Sequence, residues 1–214
     1  HSPIQPWTNN GFRLDRYQKQ QIRVPCRWEA ARIWARTECN AEGRNCETGD
    51  CNAMKCVGAG TVDVTLAEMT LDGGKNGGDD VYDISAVDAY NLPISIRPDN
   101  GQKIGQQFGF PKEYDCITTE CKFDFRNNCP DRLKKWKNGK VAACLSACTA
   151  TNDDYLCCRN QYNTPQTCQA QNHDLVKYFK DRCPQMYSFA YDDKKSTFLC
   201  KGFKGTQYTV TFCP

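Results

Sequence analysis

Alternation of apolar and polar residues predicts β-strands in distant parts of this chain. In residues 62–71 every second side chain is apolar up to Leu66, and Glu68 then continues the same face. Glu68 therefore ends an apolar strand face. Residues 32–36 and 208–213 show the same two-residue period, so strands are expected near both ends of the sequence.

Glycine-rich sequence separates two of the predicted strands. Residues 72–78 read Asp-Gly-Gly-Lys-Asn-Gly-Gly, and an apolar-rich stretch begins again at Val81. Glycine and asparagine tolerate the positive φ angles of tight turns, so a hairpin or a wide loop is expected here. Two strands that both carry carboxylates would then lie side by side.

The middle of the chain is rich in cysteine and predicts a separate, disulfide-held unit. Within it, Asn172 is expected to cap a helix that pairs Leu175 with Phe179 on one face and ends in basic residues. Residues 39–56 contain four cysteines but too little apolar material for a core. Disulfides must therefore hold that segment together.

Charge is nearly balanced over the whole chain but not locally. The 28 basic and 25 acidic side chains leave a net charge of +3, which is too little to predict nucleic acid or an anionic membrane as the main partner. Between Thr61 and Tyr90, seven acidic residues stand against one base, Lys75. A cationic or neutral polyhydroxyl ligand fits such a segment, and an anionic one does not. A basic patch around Trp136 consists of Lys134, Lys135, Lys137 and Lys140. We favour the interpretation that this patch is a solvated face of the protein, and the alternative is that it contacts an anionic surface.

The cysteine content indicates the compartment. Sixteen cysteines at irregular spacing are typical of an oxidising environment, so we expect a secreted, extracellular protein. With only two histidines and no Cys-x-x-Cys pair, we expect no metal site and no cofactor. No apolar run approaches the roughly 20 residues that span a bilayer, and residues 1–7 lack a hydrophobic signal core. A mature, processed form without a transmembrane segment is therefore expected.

A series of short motifs runs in order along nearly the whole chain. They are ARIWART at 31–37, CETGDC at 46–51, TLAE at 65–68, YDIS at 82–85, NLP at 91–93, SAC at 146–148, YLCC at 155–158, YSFAYDD at 187–193 and TFCP at 211–214. Together these motifs resemble the pattern of the thaumatin-like, or osmotin-like, family. Many motifs in the right order are far more specific than any one of them, so the chain is identified as a member of that family.

The resemblance implies a fold and a division into domains. The fold is mainly β: a flattened β-sandwich core with two disulfide-rich lobes, the larger of which contains short helices. The core would be discontinuous and comprise residues 1–38, 57–122 and 184–214. The small lobe would be residues 39–56 and the larger lobe residues 123–183, with an acidic cleft between the larger lobe and the sandwich.

The resemblance also implies a set of disulfides. Carried over position by position, the expected bonds are Cys39–Cys46, Cys51–Cys56, Cys116–Cys200, Cys121–Cys183, Cys129–Cys144, Cys148–Cys157 and Cys158–Cys168. Family members usually begin with another strand whose cysteine pairs with the last one, and the sequence contains no such strand. Cys26 and Cys213 remain, and we predict by elimination that they pair with each other.

By the same resemblance, one arginine and four carboxylates line the cleft: Arg32, Glu68, Asp83, Asp88 and Asp192. Glycoside hydrolysis needs one protonated carboxyl group and one ionised one across the scissile bond. Glu68 is expected to be the acid, because burial and neighbouring aspartates would raise its pKa, and Asp88 would be the ionised partner. Asp83 and Asp192 would bind sugar hydroxyls, and Arg32 would hold one carboxylate ionised.

The residues themselves leave alternatives to these assignments. Asp83 and Asp88 are five residues apart and would face opposite sides of an unbroken strand, so a bulge or turn must intervene. Each acid could instead belong to a solvated or salt-bridged face. Two further residues compete for the same roles, Arg36 with Arg32 and Asp193 with Asp192. Three tyrosines flank the acids: Tyr82, Tyr90 and Tyr191. Their rings either stack on sugar rings or pack inside the β-sandwich.

Two functions from different classes are consistent with these residues. The first is an endo-β-1,3-glucanase of low activity, with a role in defence or cell-wall remodelling. The second is a non-catalytic protein: a wall-glucan binder, an enzyme inhibitor or a membrane-perturbing antifungal protein. In both cases the expected partner is β-1,3-glucan or another neutral polysaccharide and not nucleic acid, and the chain is most simply a monomer.

Overall fold

The computed structural model describes residues 10–58, 61–73, 77–105 and 112–214. The fold is mainly β, and the described residues form three sheets joined by loops and short helices. The strands are β1 (Trp28–Trp34), β2 (Leu66–Leu71), β3 (Asp80–Ser85), β4 (Ala89–Tyr90), β5 (Ile94–Pro98), β6 (Thr119–Cys121), β7 (Lys134–Lys137), β8 (Lys140–Leu145), β9 (Phe198–Cys200) and β10 (Tyr208–Phe212).

The first sheet has four antiparallel strands in the order β1-β2-β3-β9. Because side chains alternate along a strand, Ala67 and Met69 of β2 point into the core, whereas Glu68 and Thr70 point to the other face. The antiparallel pairing of β2 with β3 confirms that the two strands around the predicted hairpin or wide loop lie side by side. Residues 74–76 of that prediction lie outside the described residues.

The second sheet has the order β10-β5-β6 and packs against the inner face of the first. Ile94 and Ile96 of β5 meet Tyr82 and Ile84 of β3 in one apolar cluster, and all four side chains have 0% exposure. Burying each large apolar side chain contributes about 1.5–3 kcal/mol. The two sheets thus enclose the core that supports the outer face of the first sheet.

The third sheet, β4-β8-β7, contacts the short helices α1 (Phe125–Asn128) and α2 (Ala147–Thr151) through β8. Two further short helices follow along the chain, α3 (Asp174–Lys180) and α4 (Asp193–Ser196), and α4 precedes β9. The predicted helix is α3, but its cap is His173 and not Asn172, which ends a preceding 3-10 turn. His173 Nδ1 accepts a hydrogen bond from the N–H of Leu175 at 3.2 Å. No helix in the described part of the chain combines the length and apolar character that crossing a membrane requires.

Seven disulfides join the described residues, and their pairings are those that the resemblance implied. Two of them close long loops. Cys116–Cys200 spans 84 residues and Cys121–Cys183 spans 62. Such bonds restrict the unfolded chain most strongly.

The predicted bond between Cys26 and Cys213 does not form, and both thiols are free and exposed. Cys26 precedes β1 at the end that pairs with Leu71. The backbone N–H of Cys213 donates to Pro93 O at 2.8 Å. The preceding residue, Leu92, accepts a hydrogen bond from Thr65 Oγ1, which lies at the opposite end of β2. The two cysteines are thus separated by the length of a strand, roughly 20 Å, whereas a disulfide needs Cα atoms within about 7 Å.

Residues 35–56 are held by buried and partly buried hydrogen bonds as well as by disulfides. Asn91 Nδ2 donates to Ala35 O at 3.0 Å and to Thr48 Oγ1 at 2.8 Å. Arg36 donates to the backbone oxygens of Gly43 and Met54 at 2.9 and 2.7 Å. Arg36 is therefore committed to this segment and does not compete with Arg32 for the acids of β2 and β3. The division into a core and two lobes stays a prediction.

Candidate functional site

A cleft with a volume of about 450 Å³ lies on the outer face of the first sheet. Outward-facing side chains of β1, β2 and β3 form its floor, among them Arg32, Glu68 and Asp83. Asp88 and Tyr187 form part of its walls. The volume is within the range of about 300–1,000 Å³ that is typical of small-ligand sites.

Strand register brings the charged residues of the floor together. Arg32 pairs with Glu68 across β1 and β2, and Glu68 pairs with Asp83 across β2 and β3. Directly opposite residues on antiparallel strands present neighbouring side chains on one face. Beyond β3 the chain turns at residues 86–88, and the carbonyl of Asp88 accepts the N–H of Ser146 at 3.0 Å. This turn is the one that the five-residue spacing required, and it places Asp88 on the cleft.

Tyr187 lines the cleft, although no sequence pattern predicted it there. A short parallel bridge holds it beside β3: its N–H donates to Ile84 O at 2.8 Å, and its carbonyl accepts the N–H of Ala86 at 2.9 Å. Its hydroxyl lies 2.8 Å from Asp193 Oδ1 and 2.6 Å from Thr197 Oγ1. No periodicity predicts this position, because the pairing joins segments about a hundred residues apart in the chain.

The carboxylates of the cleft have different partners. Arg32 Nε donates to Glu68 Oε1 at 2.8 Å, in a pair whose side chains are 54% and 28% exposed. Oδ1 of Asp83 is shielded from solvent and has no hydrogen-bond partner among the described residues. Burial raises the pKa of Asp83 well above its usual value, the charges of Glu68 and Asp193 raise it further, and Arg32 opposes them.

Asp88 is affected in the same direction. Burial raises the pKa of Asp88, while the Arg32 charge opposes this effect and the Glu68 charge adds to it. The environment that was expected around Glu68, a desolvated carboxyl near other acids, is therefore found at Asp83 and Asp88. Glu68 instead lies in an ion pair.

Asp192 does not line the cleft, which corrects the expectation for this residue. It is 6% exposed, and its Oδ2 accepts hydrogen bonds from Lys180 Nζ at 2.7 Å and from Ser188 Oγ at 3.1 Å. The neighbouring Asp193 accepts a hydrogen bond from the hydroxyl of Tyr187, which lines the cleft, but Asp193 itself is not among the lining residues. Asp192 is therefore a buried residue that stabilises the fold through its pair with Lys180, whereas Asp193 contacts a residue of the cleft lining, Tyr187.

The three predicted tyrosines are also placed away from the cleft. Tyr82 and Tyr90 have 0% exposure, so they pack the core and cannot contact a ligand. Tyr82 donates its hydroxyl to Ile117 O at 2.6 Å, and Tyr90 packs against Phe125 with ring centroids 4.7 Å apart. Tyr191 donates to Asn163 O at 2.5 Å and is absent from the cleft lining. All three follow the alternative interpretation, in which they stabilise the fold.

The lysines around Trp136 are anchored by local partners. Lys135 pairs with the buried Asp63 at 2.5 Å, and Lys140 pairs with Glu47 at 3.1 Å. Lys137 donates to the carbonyl of Cys46. These contacts support the interpretation of this patch as a structural, solvated surface. Within the ranges that the structure describes, no group of three or more His, Cys, Asp or Glu side chains is arranged to hold a metal ion.

The raised pKa of Asp83 predicts a pH-dependent stability. The native protein binds this proton more tightly than the unfolded chain, so the stabilisation is fully present below the usual Asp pKa of about 4 and is lost as the pH rises through the native value. We expect wild type to lose stability relative to Asp83→Asn as the pH rises from about 4 to about 8. Guanidinium unfolding over this range measures the difference.

The control for this experiment is Asp181→Asn, the same replacement at an exposed position at the end of α3. Its stability difference from wild type should be small, because surface substitutions usually change stability by less than about 0.5 kcal/mol. A difference between wild type and Asp83→Asn that is constant with pH would contradict a desolvated carboxyl at this position.

Comparison with known proteins identifies the family. The model of the Thaumatin family matches residues 2–214. The chain belongs to the thaumatin family. Among similar relatives in this family, Pathogenesis-related protein 5 of Arabidopsis thaliana is 42% identical over 209 residues, which cover 96% of this chain and 80% of the relative. A protein of Prunus avium named Glucan endo-1,3-beta-glucosidase is 39% identical, with 97% of this chain and 80% of that protein covered. Thaumatin-like protein 1 of Pyrus pyrifolia is 40% identical, with 96% and 80% covered.

Proposed function

We propose that this thaumatin-family protein binds β-1,3-glucan in the cleft and hydrolyses it slowly at internal bonds. The observation that carries the proposal is the convergence of Glu68, Asp83 and Asp88 on one cleft with Arg32. Carboxylate oxygens accept hydrogen bonds from sugar hydroxyls, and a pair of carboxyls in different protonation states is what glycoside hydrolysis requires. The name of the Prunus avium relative supports this choice of substrate.

The proposed setting is extracellular. Seven disulfides among the described residues form and persist in an oxidising compartment, which favours secretion. The Arabidopsis thaliana relative is named as pathogenesis-related, which supports a role in defence. A monomer remains the simplest proposal for a domain cross-linked in this way, and a neutral wall polysaccharide remains the proposed partner.

Replacing Glu68 with glutamine tests the proposed hydrolysis. The protein is incubated with a linear β-1,3-glucan, and new reducing ends are counted. We expect Glu68→Gln to lower their release by about 100-fold or more, because the replacement removes a carboxyl group from the reacting pair. Glu120→Gln, the same replacement at an exposed residue of β6 outside the cleft, should leave the rate unchanged. Equal release by Glu68→Gln and wild type would remove Glu68 from the mechanism.

The second candidate function is non-catalytic recognition of the same polymer. The ion pair between Arg32 and Glu68 favours it, because a guanidinium and a carboxylate held side by side offer both hydrogen-bond donors and acceptors to sugar hydroxyls. Sedimentation with insoluble β-1,3-glucan distinguishes the two functions. Binding without any release of oligosaccharide would support recognition alone, and binding with release would support hydrolysis.

A further inference from the structure

The row of charged residues on the cleft floor contains one cation for two acids. Glu68 lies between Arg32 on β1 and Asp83 on β3. The Nε of Arg32 is directed at Glu68, with which it makes a hydrogen bond of 2.8 Å. An ionised Asp83 would therefore be the next charge in the row, with its Oδ1 shielded from water and without a hydrogen-bond donor among the described residues.

The charged groups that face Asp83 favour its neutral form. Glu68 approaches from β2 and Asp193 from α4, both as acids, and Arg32 of β1 is the opposing cation. The hydroxyl of Tyr187 is engaged by Asp193 and Thr197. Like charges on directly opposite strand positions are destabilising, and an unpaired buried carboxylate is costly, so a proton on Asp83 relieves both effects.

We propose that Asp83, and not Glu68, supplies the proton to the leaving oxygen, and that Glu68 is the nucleophile of a retaining hydrolysis. This inference rests on the proposed function of the cleft. Directly opposite strand residues have Cβ atoms about 4.5–5.5 Å apart. Retaining glycosidases keep their two carboxyl groups about 5–5.5 Å apart, whereas inverting enzymes separate them by about 6.5–9.5 Å to admit a water molecule. The register of β2 and β3 sets Glu68 directly opposite Asp83 on one face, with no residue between them, and this adjacency is the ground for proposing the retaining geometry.

The proposed reaction needs no reactant other than the glucan and water. A carboxylate oxygen of Glu68 bonds to the anomeric carbon as the glycosidic C–O bond breaks, and the leaving oxygen takes the proton of Asp83. Water then attacks the anomeric carbon and gives one proton to the Asp83 carboxylate, while the bond to Glu68 breaks. Both carboxyl groups return to their starting states, and the configuration at the anomeric carbon is retained.

Leaving-group dependence tests which residue gives the proton. Wild type, Asp83→Asn, Asp88→Asn and Glu68→Gln are compared on linear β-1,3-glucan and on a dinitrophenyl β-laminaribioside, whose leaving group needs no proton. We expect Asp83→Asn to lose about 100-fold or more on glucan and to keep kcat/KM on the aryl substrate within about tenfold of wild type. Glu68→Gln should lose activity on both substrates. Asp181→Asn is the matched control outside the cleft.

Azide provides a second measurement with a stereochemical result. With the aryl substrate, azide should accelerate Asp83→Asn and yield a glycosyl azide of the same anomeric configuration, because the small anion attacks the Glu68 adduct without a general base. Asp83→Ala should behave in the same way, and it is used if Asp83→Asn does not fold as judged by thermal unfolding.

The outcomes separate the two levels of the proposal. If wild type cleaves glucan and Asp83→Asn is equally fast, the assignment of Asp83 fails and the proposed hydrolysis stands. If Glu68→Gln or Asp88→Asn shows the leaving-group dependence in place of Asp83→Asn, that residue is the proton donor and the assignment is again wrong. If wild type cleaves neither substrate, the proposed hydrolysis itself fails, and with it the role of Asp83.

Discussion

Replacing Lys180 with methionine is expected to lower the free energy of unfolding by about 3–5 kcal/mol. Lys180 Nζ lies 2.7 Å from both Asp192 Oδ2 and Ser196 Oγ, and 3.0 Å from Met186 O. Only 16% of the lysine side chain and 5% of the Asp192 side chain are exposed. Removing the cation leaves a buried carboxylate without its charge partner, and this state costs more than the intact pair contributes.

Guanidinium unfolding of the disulfide-bonded protein measures this loss. The matched control is Lys134→Met, because Lys134 pairs at 2.6 Å with an Asp131 side chain that is 93% exposed. That variant should lose less than about 1 kcal/mol. Lys180→Met combined with Asp192→Leu should recover part of the loss, since the unpaired charge is gone. A loss below about 1 kcal/mol for Lys180→Met would show that Asp192 is solvated after all.

Removing the disulfide between Cys116 and Cys200 by double replacement with alanine should cost about 4–5 kcal/mol. The bond closes a loop of 84 residues and links the segment before β6 to β9, the edge strand of the first sheet. In the chain-entropy account, the loss arises because the unfolded chain without the bond gains conformational freedom, and the gain grows with the length of the loop.

The comparison variant removes Cys39–Cys46, which spans seven residues. The same account predicts a loss of about 2 kcal/mol for this short loop, so the longer loop should cost about twice as much. Unfolding free energies under non-reducing conditions give the ratio. Equal losses for the two double variants would indicate that native packing around the sulfur atoms, and not loop entropy, determines the effect.

Local patterns predicted the position of Glu68 on the cleft floor. The two-residue period of residues 62–71 placed Glu68 on the face opposite Ala67 and Met69, and β2 shows this alternation over Leu66–Leu71, whereas residues 62–65 precede the strand. The spacing between Asp83 and Asp88 required a turn, and the chain turns at residues 86–88. Such predictions succeed because side-chain alternation is a property of the strand backbone itself.

The position of a tyrosine next to an acidic residue in the sequence did not predict whether its side chain lines the cleft. Tyr82 precedes Asp83 in β3, and for that reason it points to the opposite side of the sheet, into the core. Tyr90 lies in β4 and is equally buried. Tyr187 reaches the cleft because its backbone pairs with the end of β3, through Ile84, and with Ala86 just beyond it. Sequence distance therefore carried no information about this aromatic side chain.

The charge partners of the acids also depended on three-dimensional neighbours. Glu68 has the apolar strand face that suggested a proton donor, but β1 brings Arg32 to within 2.8 Å of it. Asp192 lies in a motif with Asp193, and the folding of α3 gives it Lys180 as a buried partner. The pKa of a carboxyl depends on burial and on charges within a few ångströms, which a linear pattern does not contain.

By itself, the sequence determined the mainly β architecture, the family and, through it, the seven disulfide pairings of the described residues. Alternation, turn residues and cysteine positions are local properties, so they can be read along the chain. The tertiary structure alone decided which acids share the cleft, which of them is paired with a cation, and that Cys26 and Cys213 lie too far apart to bond. These outcomes are set by strand register and by contacts between distant segments, because electrostatic energies and disulfide bonds depend on distances in space.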